Sequence, residues 1–215
     1  MSSEIKDKGF SLIEVVLAIG IFLVTVLVLV GMLGPTLESV QEVEKTDEII
    51  SVIDSVSSFL NGGGSFGSDT SSFNLIYQTL STGGYATIYA YRSFISENSS
   101  DIKLTVGFSP SERASNQRIS SKLRAFDFKN AAGPIYRCVL TLKPLIPRAD
   151  FKDRGPRAFP RYLLVKNWKD YDEGYLPLQI SIYAETPGPS FTDRLSLKEL
   201  SLKIPDYTFN TAIKR

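Results

Sequence analysis

From Phe10 to Gly34 the chain reads FSLIEVVLAIGIFLVTVLVLVGMLG. Between Val15 and Leu33 lie 19 residues without a charge, and Thr25 is the one markedly polar side chain among them. At 1.5 Å of rise per residue they would span roughly 28 Å, about the thickness of a bilayer's hydrocarbon core. A buried helix of a globular protein rarely runs so far without a polar face. A cleavable secretory signal has a shorter apolar core followed by a small-x-small site. Gly31 to Glu38, GMLGPTLE, does not supply such a site. The stretch therefore predicts a membrane segment. Glu14 is its anomaly, because an ionised carboxylate at mid-membrane costs on the order of 2.5–3.5 kcal/mol, and less near the interface. Either it snorkels to the headgroups or it has a cationic partner. Phe10 to Leu33 holds no cation, so a partner would come from another chain or from a new amino terminus.

The residues leading into this run carry a resemblance. Lys8-Gly9-Phe10-Ser11-Leu12-Ile13-Glu14 resembles the processing motif of type IV prepilins and type II secretion pseudopilins. The shared pattern is a short polar leader ending in glycine, then phenylalanine, a small hydroxyl residue, two aliphatics and a glutamate, followed by an apolar helix. The resemblance implies cleavage between Gly9 and Phe10 by a membrane-embedded prepilin peptidase and N-methylation of Phe10 by the same class of enzyme. It implies that Glu14 is an assembly residue, pairing in the low-dielectric bundle with the amine of a neighbouring subunit. Other pilin or pseudopilin subunits and an inner-membrane assembly platform would be the partners. The chain would sit in the bacterial inner membrane with its leader in the cytoplasm and its carboxy-terminal domain outside, before entering a filament. The leader MSSEIKDKG departs from the usual basic leader in carrying no net charge. The length, 215 residues, exceeds that of a usual major pseudopilin and is more similar to a minor subunit.

Beyond the apolar run, Gly31, Gly34 and Pro35 predict a kink or a melted turn. Leu37, Val40 and Val43, then Ile49, Ile53, Val56 and Leu60, recur at helical spacing, interrupted by the polar stretch Lys45 to Glu48. Asn61-Gly62-Gly63-Gly64 stops the helix. A short helical turn is expected around Ser72 to Leu80, within a glycine- and serine-rich stretch. The period then changes to two. Strands are expected at Thr87 to Ile95, Ile102 to Phe108, Leu123 to Phe128, Tyr136 to Leu142, Arg161 to Val165, Leu178 to Ala184 and Leu195 to Ile204. In the last of these the alternation slips at Lys198-Glu199, as for a bulge or tight turn. The fold class is α+β, pilin-like by resemblance: a long helix packed on an antiparallel β-sheet domain. Its segments are a leader at 1–9, a membrane or filament-core helix at 10–34, an amphipathic half at 35–61 and an extracytoplasmic β domain at 62–215.

Composition narrows the chemistry. Apolar residues are 43% and charged residues 22%, so the chain can build a core. Its net charge of +1 exerts no overall pull towards nucleic acid. Histidine is absent, so no Ser-His-Asp or Cys-His nucleophile system and no imidazole zinc site can be built from it. The lone cysteine, Cys138, alternates with Tyr136, Leu140 and Leu142 and is placed in the core; it can form no intramolecular disulfide. Asp170, Asp172 and Glu173 beside Gly174 offer oxygen ligands of the kind calcium accepts, without full EF-hand spacing. Some major pseudopilins bind calcium in a carboxy-terminal loop, and solvated acidic turns are common. Arg148, Lys152, Arg154, Arg157 and Arg161 put five cations over fourteen residues, opposed by Asp150 and Asp153. They read as an exposed loop kept soluble by its charges, or as a contact to DNA or another anionic surface. Tyr85, Tyr89, Tyr91 and Phe94 read as a sheet face. With no phosphate loop or serine elbow in the chain, a non-catalytic protein is expected, with no cofactor. The alternatives to a filament subunit are a surface- or DNA-binding minor pilin, or an uncleaved, single-span, anchored β domain.

Overall fold

The structure is a computed structural model. It describes residues 11–62, 72–94, 101–110, 113–114, 117–118, 125, 128–145, 150–165, 167–188, 191–192 and 195–215. Helix α1, Leu12–Asn61, is followed by α2, Ser72–Gly83. Strands β1, Tyr85–Phe94, and β2, Ile102–Phe108, come next, then the short pair β3, Arg113–Ala114, and β4, Gln117–Arg118. Strand β5, Ala131–Leu142, precedes the small hairpin β6, Phe151–Asp153, and β7, Tyr162–Leu164. Strand β8, Tyr175–Glu185, helix α3, Leu197–Leu202, and strand β9, Tyr207–Lys214, complete the chain. The main sheet is antiparallel throughout, in the order β2-β1-β5-β8-β9. The class is α+β.

The chain divides into two compact units on either side of the Glu48–Ile49 bond. In the first, α1 passes through Pro35 as unbroken helix, so the expected melted turn does not form. Proline disfavours a helical conformation in the residue before it chiefly through that residue's Cβ and N–H. Gly34 has no Cβ, which removes much of the conflict. The apolar side chains of this unit lie bare: Leu12, Phe22, Leu27 and Val30 are all more than half exposed.

In the second unit the last three turns of α1 contribute Val52, Val56 and Leu60 to the main core, with Ile49 and Ile53 packed against it. Helix α2 is a full 12 residues rather than a single turn, and Phe73, Ile76, Tyr77 and Leu80 form its buried stripe. Just past its end stands Gly84, whose φ of +76° suits glycine and whose position would press a Cβ to 2.7 Å from Leu163. Both helices cover one face of the sheet. In register across it run Ile88, Cys138 and Ile182, and beside them Ala86, Leu140 and Ile180, all fully buried. The expected core position of Cys138 is the observed one, and burial pushes its thiol up to about 12.

One expectation fails at the carboxy-terminal end, and one strand there goes unforeseen. Leu195 to Ile204 is not a strand: its middle is α3, and Ser196 caps it. The Ser196 hydroxyl accepts from the Glu199 N–H while the Glu199 carboxylate accepts from the Ser196 N–H. That reciprocal pair is the Ser-x-x-Glu capping box, and it converts the slip in alternation into a helix start. The closing strand is β9 instead, where Tyr207, Phe209, Thr211 and Ile213 alternate. The expected strand at Leu123 to Phe128 falls almost wholly outside the described residues; Phe128 opens a short 3-10 turn, Phe128–Asn130.

Candidate functional site

Glu14 lies in the first turn of α1, exposed. Its N–H donates to the Ser11 carbonyl at 3.0 Å and approaches the Ser11 hydroxyl at 3.3 Å. An acid here also complements the positive end of the helix dipole. The 18-residue window that makes α1 apolar enough to cross a membrane is wholly unburied. Gly9 and Phe10, the expected processing residues, lie outside the described residues.

The basic segment folds as the β6–β7 hairpin. Arg161 lies against Asp153, with Nη2 to Oδ2 at 2.9 Å and Nε to Oδ1 at 3.1 Å. It also stacks its guanidinium 4.9 Å from the ring centre of Tyr162. The Arg161 hydrogen bond, with help from the Gly155 N–H, holds the Asp153 carboxyl below its ordinary range. The Arg154 N–H donates to the Arg161 carbonyl and the Ala158 N–H to the Gly155 carbonyl, so the turn is a defined one. Lys152, Arg154 and Arg157 are exposed on it, and Asp150 is buried. Arg148 lies outside the described residues.

The acidic turn is anchored by an aromatic. Tyr171 is buried among Phe73, Tyr77 and Phe151, and its hydroxyl donates to the Tyr175 carbonyl at 3.0 Å. Arg215 closes the turn, donating from its side chain to the Tyr171 carbonyl and from its backbone to the Gly174 carbonyl. Tyr171 is buried while its neighbours Asp170 and Asp172 are exposed. Among the described residues no three acids or cysteines gather closely enough to hold a metal ion, so Asp170, Asp172 and Glu173 are not brought together as ligands.

The second face of the sheet holds a cluster that sequence reasoning missed. Arg137 on β5 is 1% exposed and stands in register between Tyr89 and Tyr183. Its Nε and Nη2 donate to the two carboxylate oxygens of Glu185 at 3.0 and 2.8 Å, a bidentate pair. Nη2 also donates to the Thr192 carbonyl at 2.5 Å. The guanidinium lies 4.9 Å from the Tyr89 ring centre and 5.6 Å from that of Phe191. Lys203, just past α3, reaches Glu185 at 2.6 Å. Burial pushes the Glu185 carboxyl up, but hydrogen bonds from Arg137 and Lys203 outweigh it and hold it below the ordinary value. Tyr89 and Tyr91 are buried here as sheet-face aromatics, as their spacing predicts. The missed signal was Arg137 itself, a lone cation on the tyrosine-bearing side of an alternating strand. With its donors committed to Glu185 and Thr192, the arrangement holds a strap in place rather than presenting a binding group. No family model, no curated protein and no solved structure matches this chain.

Proposed function

We propose that the chain is a structural subunit, by its length a minor one, of a type IV pilus or a type II secretion pseudopilus. It would be made as a prepilin, cleaved after Gly9, N-methylated at Phe10 and assembled through its amino-terminal helix. The observation that carries this reading is the character of α1. Its apolar window is left wholly unburied by the rest of the chain, while its last turns supply Val52, Val56 and Leu60 to the core of an antiparallel sheet. A helix so divided suits a subunit whose apolar half is covered first by lipid and then by copies of itself. The bare apolar side chains would otherwise face water at about 25 cal/mol per Å². Glu14 fits the same use, since a carboxylate costly in lipid is offset by a cationic amine brought by a neighbour. The resemblance of residues 8–14 to the prepilin motif supplies the specific family.

The test is the mass of the amino-terminal peptide of the protein purified from membranes of its native host. The expected peptide begins at N-methylated Phe10. A peptide that keeps residues 1–9 in a host whose prepilin peptidase is active on other substrates would overturn the reading, leaving a single-span anchored β domain.

A further inference from the structure

The net charge of +1 conceals a division. Up to Glu48 the chain has eight acids against three lysines, and from Ile49 onward fifteen acids against twenty-one lysines and arginines. The acids of the first unit are concentrated on α1, where Glu38, Glu42, Glu44, Asp47 and Glu48 share eleven residues with one cation, Lys45. All but the half-buried Glu48 are exposed. Glu38 and Glu42, and again Glu44 and Glu48, stand four residues apart. Like charges at that spacing destabilise a helix by about 0.2–0.5 kcal/mol per pair. The exposed Glu38–Glu42 pair therefore carries a repulsion that its own fold does not require.

Among the described residues, the β6–β7 hairpin carries a local surplus of the opposite sign. Asp153 is taken up by Arg161, and among the described residues no ion pair engages Lys152, Arg154 or Arg157. The hairpin's internal hydrogen bonds define its turn, so these cations are presented on a formed surface rather than on a loose loop. We infer that Lys152, Arg154 and Arg157 of one chain dock onto the acidic stretch Glu38–Glu48 of a second copy. Charge complementarity selects this occupant. The two surpluses are opposite and of similar size, and bringing them together relieves the like-charge pairs on α1. Copies held in one membrane also meet at high effective concentration. The two patches differ, so the contact is heterologous and repeats from copy to copy with a fixed direction. The inference rests on the assembly reading for where copies meet, and it adds the surface that would set their order.

Full-length chains bearing two different affinity tags, co-expressed in membranes and solubilised in mild detergent at low salt, test it. One tag is captured and the other quantified. In one variant Glu38→Lys, Glu42→Lys and Glu44→Lys are combined; in the other, Lys152→Glu, Arg154→Glu and Arg157→Glu. Paired with itself, each variant sets like charge against like, and recovery is expected to fall about tenfold below wild type, with wild-type recovery falling as salt is raised. Paired with each other, both contacts regain opposite signs, and recovery returns to within about twofold of wild type. Variants that failed to fold could not be restored by mixing. Undiminished recovery of the self-paired variants would overturn the inference. So would a loss that mixing leaves in place, which would assign the contact to groups within one chain. Wild-type recovery abolished by nuclease would also overturn it and assign the hairpin to nucleic acid. Retention of residues 1–9 would sink the assembly reading without altering any of these recoveries.

Discussion

The two faces of the main sheet are built by different means. On the face under α1 and α2, position follows position in simple alternation, and Ile88, Cys138 and Ile182 lie side by side with nothing polar between them. On the other face, one residue along each strand, Tyr89, Arg137 and Tyr183 occupy the same register. Their cover is a strap, residues 191–192 and α3, held down by Arg137, Glu185, Lys203 and the buried Leu200. The first face draws on area removed from water, which tolerates modest changes of shape. The second depends on each charge keeping its partner, because a buried charge left alone is costly in a way that a lost methyl is not.

The largest expected effect separates these two means. Arg137→Ala removes the guanidinium from between two rings and leaves Glu185 with Lys203 alone, at a cost of about 4 kcal/mol. Ile182→Ala on the apolar face costs about 3 kcal/mol, as lost transfer energy plus a cavity. Unfolding of the full chain in detergent would give both values. A second substitution, Glu185→Gln, tells them apart. It should recover part of the loss in Arg137→Ala and add its own separate loss to Ile182→Ala. Equal behaviour in both backgrounds would mean that the Arg137 pair contributes only its packing.

Legibility followed the same division. The apolar face could be read in the sequence because burial repeats with a fixed period. Leu178, Ile180 and Ile182 announce it without help from the rest of the fold. The strap could not, because Arg137 and Glu185 are 48 residues apart and only the strand register brings them together. Ser196 to Glu199 was misread for another reason. Alternating leucines from Leu195 suggested a strand, while the capping pair, a local signal, decided for helix. The basic segment was legible as charge but not as a hairpin. By sequence Asp153 is one of its opposing acids, and the structure pairs it with Arg161 and with the Gly155 N–H. For the acidic turn, spacing suggested ligands, but burial of the intervening Tyr171 decides how the chain lies there.

Acid should weaken the second face before the first. Glu185 is held below its ordinary value of 4.5, so its contribution to stability is complete above that pH and is lost as pH falls through the lower folded value. Unfolding midpoints measured from pH 6 downward should therefore begin to drop below about pH 4.5. The drop should be shallower in Glu185→Gln, which has no proton to take up there. The same curve in both chains would show that other carboxylates govern the acid limb.

The smallest expected effect is the most local. Ser196→Ala deletes the hydroxyl that accepts from the Glu199 N–H, and an N-cap loss of this kind costs about 1 kcal/mol. Helix α3 has only six residues, too few to persist on helical propensity, so its end cap and the burial of Leu200 hold it together. Loss of the cap should thus appear as local opening before it appears in global unfolding. Exchange of the Leu200 amide, which donates to the Ser196 carbonyl, should quicken while the amides of Cys138 and Leu140 in the centre of the sheet keep their protection. If those central amides quicken equally, the strap and the sheet open as one unit, and the two faces are a single cooperative structure despite their different chemistry.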